Sequence, residues 1–101
     1  MKSALKKPIG PTDSDIRKAA KITRALDNPL RWEIMAHLDR VKSSAVQPIY
    51  KALNLDQSIA SQHLNILREA NLVLRSVNGK QREYTLNYDR IREVNIILQS
   101  L

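Results

Sequence analysis

Residues 56–70, DQSIASQHLNILREA, divide into two chemically distinct halves when wound as a helix. At 100° per residue, Gln57, Ser58, Ser61, Gln62, Asn65, Arg68 and Glu69 fall within one arc of about 140°. Ile59, Ala60, His63, Leu64, Ile66, Leu67 and Ala70 fill most of the other side. Such a segment must bury one half against a core and leave the other free. A face that only solvates usually carries Lys and Glu, whereas this one opens with amides and hydroxyls. Gln and Asn can pair with an adenine edge, and Ser can donate or accept at either base type. Small serines near the N-terminus let such a helix sit deep in a major groove, where recognition helices meet base edges. A plain solvated face is the alternative.

The flanking sequence extends this pattern. Asn28-Pro29 starts a helix, with Asn as cap and Pro in the first turn. Leu30, Ile34, Leu38 and Val41 then recur at helical spacing beside Met35, while Trp32 lies opposite and predicts a second buried contact, with the first helix or a second subunit. That first helix runs from a cap at Asp13 or Ser14 to about Leu26. Residues 42–47 read as a loop with an extended piece at Val46. Pro48 opens a short third helix, Asn54-Leu55 makes a turn, and Asp56 caps the fourth helix. Two helices joined by a short turn form a helix-turn-helix candidate. Leu72–Val77 and Gln81–Leu86 read as strands joined at Asn78-Gly79, the strongest short hairpin signal. A last helix begins at Tyr88 or Asp89 and ends at Leu101.

The chain has 101 residues, enough for one domain with a thin core. Four aromatics and no Phe leave that core to Leu, Ile, Val and Ala. A net charge of +7 favours a polyanionic partner, either nucleic acid or an anionic membrane surface. The lack of cysteine excludes disulfides, thiolate metal sites and thiol redox sensing. No apolar run approaches the ~18 residues of a membrane span, and a cytoplasmic location is expected.

Arg75, Lys80 and Arg82 surround the hairpin tip with Asn78. A narrow basic hairpin can follow a nucleic-acid backbone or enter the minor groove, although three charges also keep an exposed hairpin soluble. Residues 1–12 form a basic tail, expected to be flexible, that is either solvated or in contact with phosphate. Ile91, Val94, Leu98 and Leu101 line one side of the last helix. This stripe serves the chain's own core or, as the favoured reading, a dimer seam with Ile16 and Ala20 of the first helix. His63 is expected to be packed and hydrogen-bonded, and neither it nor His37 has ligand partners at zinc-site spacing. No metal and no other cofactor is expected.

At this point the chain resembles the ArsR/SmtB family of bacterial winged-helix repressors, from about Ala25 to Leu86. ALDNPLRWEIMAHL is similar to the family's opening pattern, LNLDQSIASQHLNILREANLV to its helix-turn-helix signature, and NGKQREYTL to its wing. MarR-like winged helices are the nearby alternative. The resemblance implies a homodimer paired through first and last helices. It also implies operator binding through the fourth helix and wing, with Gln57, Ser58, Ser61 and Gln62 as reading residues. The family's metal-sensing Cys-x-Cys positions are Ala45 and Gln47 here, and its acidic and His ligands on the last helix reduce to Asp89 and Glu93 without His. Metal sensing therefore does not carry over.

The expected fold is mainly α (α+β): a winged helix-turn-helix over residues 13–101, with about five helices and a two-stranded wing. The expected function is a homodimeric repressor binding double-stranded DNA, through Gln57, Ser58, Ser61, Gln62, Asn65, Arg75, Asn78, Lys80 and Arg82. A protein-interaction module is the alternative, since this fold also serves that role. No nucleophile-plus-base spacing, paired carboxylates or phosphate-binding loop supports an enzyme. Membrane-surface binding lacks a suitable amphipathic helix. The sequence names no effector.

Overall fold

The computed structural model describes residues 12–99. Five helices and a small sheet follow one another as α1 (Asp13–Leu26), α2 (Pro29–Val41), β1 (Ser43–Ser44), α3 (Val46–Ala52), α4 (Gln57–Glu69), β2 (Val73–Asn78), β3 (Gln81–Leu86) and α5 (Tyr88–Gln99). Residues 1–11 of the basic tail lie outside the described residues. Thr12, assigned to that tail by the sequence, instead caps α1. Its hydroxyl accepts from Asp15 N at 3.1 Å, and its own N–H donates to Asp15 Oδ2 at 3.1 Å. The cap thus precedes the expected Asp13 or Ser14, because a carboxylate at the third helical position can reach back to an extended Thr.

Asn28 caps α2 as its sequence indicates, accepting from Leu30 N at 2.9 Å and Arg31 N at 3.2 Å. Ile34, Met35 and Leu38 are buried, whereas Val41, expected on the same stripe, is exposed at the helix end. Trp32 makes the contact with α1 that its position suggested, as a hydrogen bond from Nε1 to Leu26 O at 2.8 Å, while the residue as a whole is 53% exposed in the protomer.

That bond completes the C-terminus of α1, whose last carbonyls lack intrahelical donors. Asp27 N serves Thr23 O, and Arg31 serves the next two: Nη2 to Arg24 O at 2.6 Å and Nε to Ala25 O at 2.8 Å. The third arm of the fork, Nη1, meets His63 Nδ1 on α4 at 3.0 Å. Arg31 is only 7% exposed, so one guanidinium fastens α1, α2 and α4 from inside.

The segment read as a loop at 42–47 contains a strand. Ser43 and Ser44 pair antiparallel with Thr85 and Tyr84, which adds a third strand to the expected two-stranded wing in a sheet ordered β1-β3-β2. Two serines carry no alternating pattern, so the pairing comes from the free edge of β3. Val46 begins α3 instead of an extended piece. Pro48 is tolerated inside the first turn because its missing N–H would have had no partner there.

Asn54 (φ 56°) and Asn71 (φ 60°) take the left-handed conformation that Asn accepts more readily than other side-chain residues. Asn54 turns α3 into α4. Asn71 ends α4, where Leu72 N bonds back to Leu67 O at 3.0 Å. Asp56 occupies the capping position of α4 but makes no side-chain cap bond. The wing closes one residue later than its sequence suggests. Asn78 pairs with Gln81, the two loop residues are Gly79 and Lys80, and of these Gly79 takes the positive φ of 66°. A single left-handed residue at the first loop position is the pattern of a type II′ turn.

The core joins Ala25, Ile34, Met35, Leu38, Ile49, Leu64, Leu67, Leu72, Val73, Leu86 and Val94, with Tyr84 as its aromatic member. Removing the Arg31 fork leaves two carbonyls and an imidazole nitrogen without a donor. Arg31→Ala is expected to lower the unfolding free energy by about 3 kcal/mol, read from urea denaturation. Arg31→Lys is expected to restore only part of this, because an ammonium cannot span three acceptors in one plane.

Candidate nucleic-acid interface

The buried half of α4, Ala60, Leu64 and Leu67, fixes the rotation of the helix about its axis. Gln57, Ser58, Ser61, Gln62 and Asn65 consequently face outward, and all are exposed. Among the described residues, the side chains of Gln57, Ser58, Ser61 and Gln62 make no hydrogen bond, so their donors and acceptors remain available. Asn65 differs. Its Nδ2 donates to Glu69 Oε1 at 3.1 Å, and its Oδ1 accepts from Arg68 Nη1 at 3.4 Å. Both ends of that amide are engaged within the helix.

The wing register decides which side chains accompany α4. Val73, Arg75 and Val77 alternate onto one face of β2, opposite Leu86, Tyr84 and Arg82 of β3. Because Val73, Tyr84 and Leu86 are buried, that face is the one turned to the core, and Arg75 and Arg82 extend it outward. A cleft of about 350 Å³ results, with Ser61, Gln62, Asn65 and Arg68 contributed by α4 and Arg75, Arg82 and Tyr84 by the wing. Five of the sequence-predicted residues meet here: Ser61, Gln62, Asn65, Arg75 and Arg82. Gln57 and Ser58 lie outside the cleft on the first turn of α4, Asn78 is on the opposite sheet face, and Lys80 is at the hairpin tip.

Arg68 and Tyr84 line the cleft without having been selected as site residues. The signal for Arg68 was present, since it falls in the polar arc of α4. Tyr84 was legible only as an inward-facing strand residue. Among the described residues no carboxylate lies within 4 Å of Arg68, Arg75 or Arg82, which leaves three cationic groups around one opening.

His63 anchors the other side of the same helix. A guanidinium can only donate, so Nδ1 accepts from Arg31 and the ring proton resides on Nε2. The imidazole pKa is held below its ordinary value, first by burial and then by the Arg31 charge. His63 is thus the packed, hydrogen-bonded histidine that its place on the helix suggested.

The residues proposed for a dimer seam divide. Ile16 is 54% exposed and Ala20 is also exposed. Ile91 is half-buried against the core, and Val94, at 6%, is spent on the protomer's own interior. Leu101 and the side chain of Leu98 lie outside the described residues. On α5, Asp89 pairs with Arg92 and Glu93 with Arg90. Among the described residues no group of three His, Cys, Asp or Glu is placed to hold a metal.

A helix-turn-helix followed directly by a basic hairpin defines a winged helix-turn-helix, and an outward polar α4 beside that hairpin is the arrangement of a DNA-binding regulator, not an enzyme. Residues 28–74 match the model of the bacterial regulatory protein, arsR family. An uncharacterised HTH-type transcriptional regulator from Methanocaldococcus jannaschii is 33% identical over 84 residues, covering 83% of this chain and 94% of the relative. The chain belongs to the ArsR family of transcriptional regulators. The HTH-type transcriptional repressor SmtB of Mycobacterium tuberculosis is 33% identical over 79 residues, 78% of this chain but 58% of that protein's length. The fold superposes with a TM-score of 0.73 on the homodimeric winged helix-turn-helix DNA-binding domain of a Mycobacterium bovis protein, at 24% identity over 92% of this chain and 89% of that one.

An imidazole that resists protonation when folded makes the unfolded chain the better proton acceptor. The stability this group contributes is complete above the ordinary His pKa and is lost as pH falls through the depressed folded value. Urea midpoints are expected to fall between about pH 7 and pH 5, and His63→Gln, which retains a neutral acceptor, is expected to flatten that fall.

Proposed function

We propose that this chain is a sequence-specific, homodimeric transcriptional repressor that reads an inverted-repeat operator through α4 and its wing. The observation that carries the reading is the set of unengaged side chains on the first turns of α4, Gln57, Ser58, Ser61 and Gln62, of which Ser61 and Gln62 share a cleft with Arg75 and Arg82. A helix with free amides and hydroxyls, rigidly backed by Leu64 and Leu67, suits the major groove. The arginines and Lys80 suit the phosphates on either side. Asn65, with its amide engaged, supports the helix more than it reads. The SmtB relative is a repressor, which favours that direction of control here.

Dimerisation is supported by what the protomer leaves uncovered. Ile16, Ala19 and Ala20 stand exposed along α1, and Trp32 and Ile96 are also exposed. Beside Trp32 lies an apolar cleft of about 240 Å³ between α1, α2 and α5. Exposed apolar side chains and an apolar cleft are features of an interaction face. A two-fold axis would set two α4 helices about 34 Å apart, one turn of DNA. Metal control is not part of the proposal, since the whole chain lacks cysteine and the two acidic residues of the family's last-helix position are paired to arginines. Action in the cytoplasm follows from a DNA target, and among the described residues no helix is long and apolar enough to cross a membrane.

Selection of bound sequences from random duplex DNA is the decisive experiment. A two-fold-symmetric consensus is expected, and failure to enrich any sequence would overturn the proposal. Gln62→Ala is expected to relax preference at one base pair per half-site, at a cost of about 1–3 kcal/mol. Lys80→Ala should instead weaken specific and random DNA alike and lower the slope of log affinity against log salt by about 1 for each phosphate that the ammonium neutralises. In sedimentation velocity, Ile16→Glu is expected to shift the chain from dimer to monomer while leaving its circular dichroism intact. An unchanged dimer would place the seam elsewhere.

A further inference from the structure

A third cleft, larger than the one beside the wing, lies away from it. It holds about 510 Å³, within the range of small-molecule sites, and is bounded by α1, the turn from α4 into β2, and the start of α5. Its lining is charged. The three carboxylates there already have partners: Glu69 accepts from Asn65, Asp89 pairs with Arg92, and Glu93 pairs with Arg90. Among the cations, Arg90 has that single Glu93 contact and Lys18 feels the Asp15 carboxylate only at longer range. Lys18 and Lys21 stand one turn apart on α1, and among the described residues no carboxylate lies within 4 Å of either. Arg90 uses Nη1 on Glu93 at 3.3 Å, while its enclosed Nε has no acceptor. The Glu93 side chain is 62% exposed, so water can replace Arg90 as its partner at little cost.

We propose that this cleft binds a small organic acid or phosphate ester by its oxyanion, which the Lys18 and Lys21 ammoniums and a reoriented Arg90 fork hold together. A guanidinium can hold two oxygens of one oxyanion at once, whereas Arg90 meets Glu93 here through Nη1 alone. The site shares no lining residue with the α4–wing cleft, yet the two are joined by short links. Glu69 in this cleft holds Asn65, and Asn65 holds Arg68 in the other. Asn87 joins the same ends of the fold, accepting from Arg90 N at 3.2 Å and donating to Asn71 O at 3.0 Å. An occupant here therefore touches the end of the helix on which the DNA reading rests, and this is a route by which a metabolite signal reaches it. Binding itself needs no DNA, so its failure and the failure of the DNA reading are separable.

The test is backbone amide NMR on the full chain without DNA, titrated separately with sodium phosphate and sodium citrate at ionic strength held constant with sodium chloride. Saturable shifts centred on Asn71, Asn87 and Arg90 with either probe support the site, and the probe that saturates tells phosphate from carboxylate chemistry. Lys18→Glu with Lys21→Glu, both on an exposed helix surface, is expected to weaken binding by about tenfold or more. Arg75→Ala with Arg82→Ala is expected to leave the affinity unchanged. The proposal is overturned by shifts that never saturate with either probe, that centre on the wing, or that persist in the lysine variant.

Discussion

The fold depends on a buried guanidinium at a helix junction. Every helix ends with carbonyls that the helix itself cannot satisfy, and a tight packing of α1 against α2 would leave those of α1 without water. Arg31 resolves this by donating to Arg24 O and Ala25 O, with Trp32 taking Leu26 O. The remaining arm reaches His63 and so sets the distance of α4 from both helices. A charged group is expensive to bury, and here the expense is offset because each nitrogen of the fork has an acceptor. The polar half of α4 faces outward because its other half is held at this point as well as by Leu64 and Leu67.

Much of this architecture was legible in the chain. Asn28-Pro29, the polar arc of α4 and the paired strands around Gly79 rest on local physics: capping geometry, helical periodicity and turn preference. What escaped depends on distant neighbours. Ser43 and Ser44 become a strand because β3 has an open edge, not because serine prefers one. Thr12 caps α1 through a reciprocal bond that needs Asp15 three residues on, a spacing that could have been read as a capping box. Arg31 sits among apolar helix positions and belongs to a recognisable opening pattern, yet its three acceptors come from α1 and α4. Val94 shows the same limit in reverse: a C-terminal apolar stripe fits a core or a seam equally well until the packing is known.

Charge is distributed with the same division of labour. Acidic residues on α5 are balanced locally by arginines one turn away, and Asp39 is held by the Tyr88 hydroxyl at 2.6 Å, with Lys42 beside it. Among the described residues, positive charge without a carboxylate within 4 Å is thereby left on α1 and around the wing. Fields of this kind raise encounter rates with anions at chosen faces.

The engagement of Asn65 by its helical neighbours shortens the readable part of α4. From Gln57 to Gln62 the helix advances only about 7.5 Å, little more than the rise of two base pairs. One protomer then samples a very small word of sequence, too brief to be rare in any genome. On the DNA-reading proposal, discrimination among promoters must therefore reside largely in the phasing between two such words and in how easily the intervening duplex deforms.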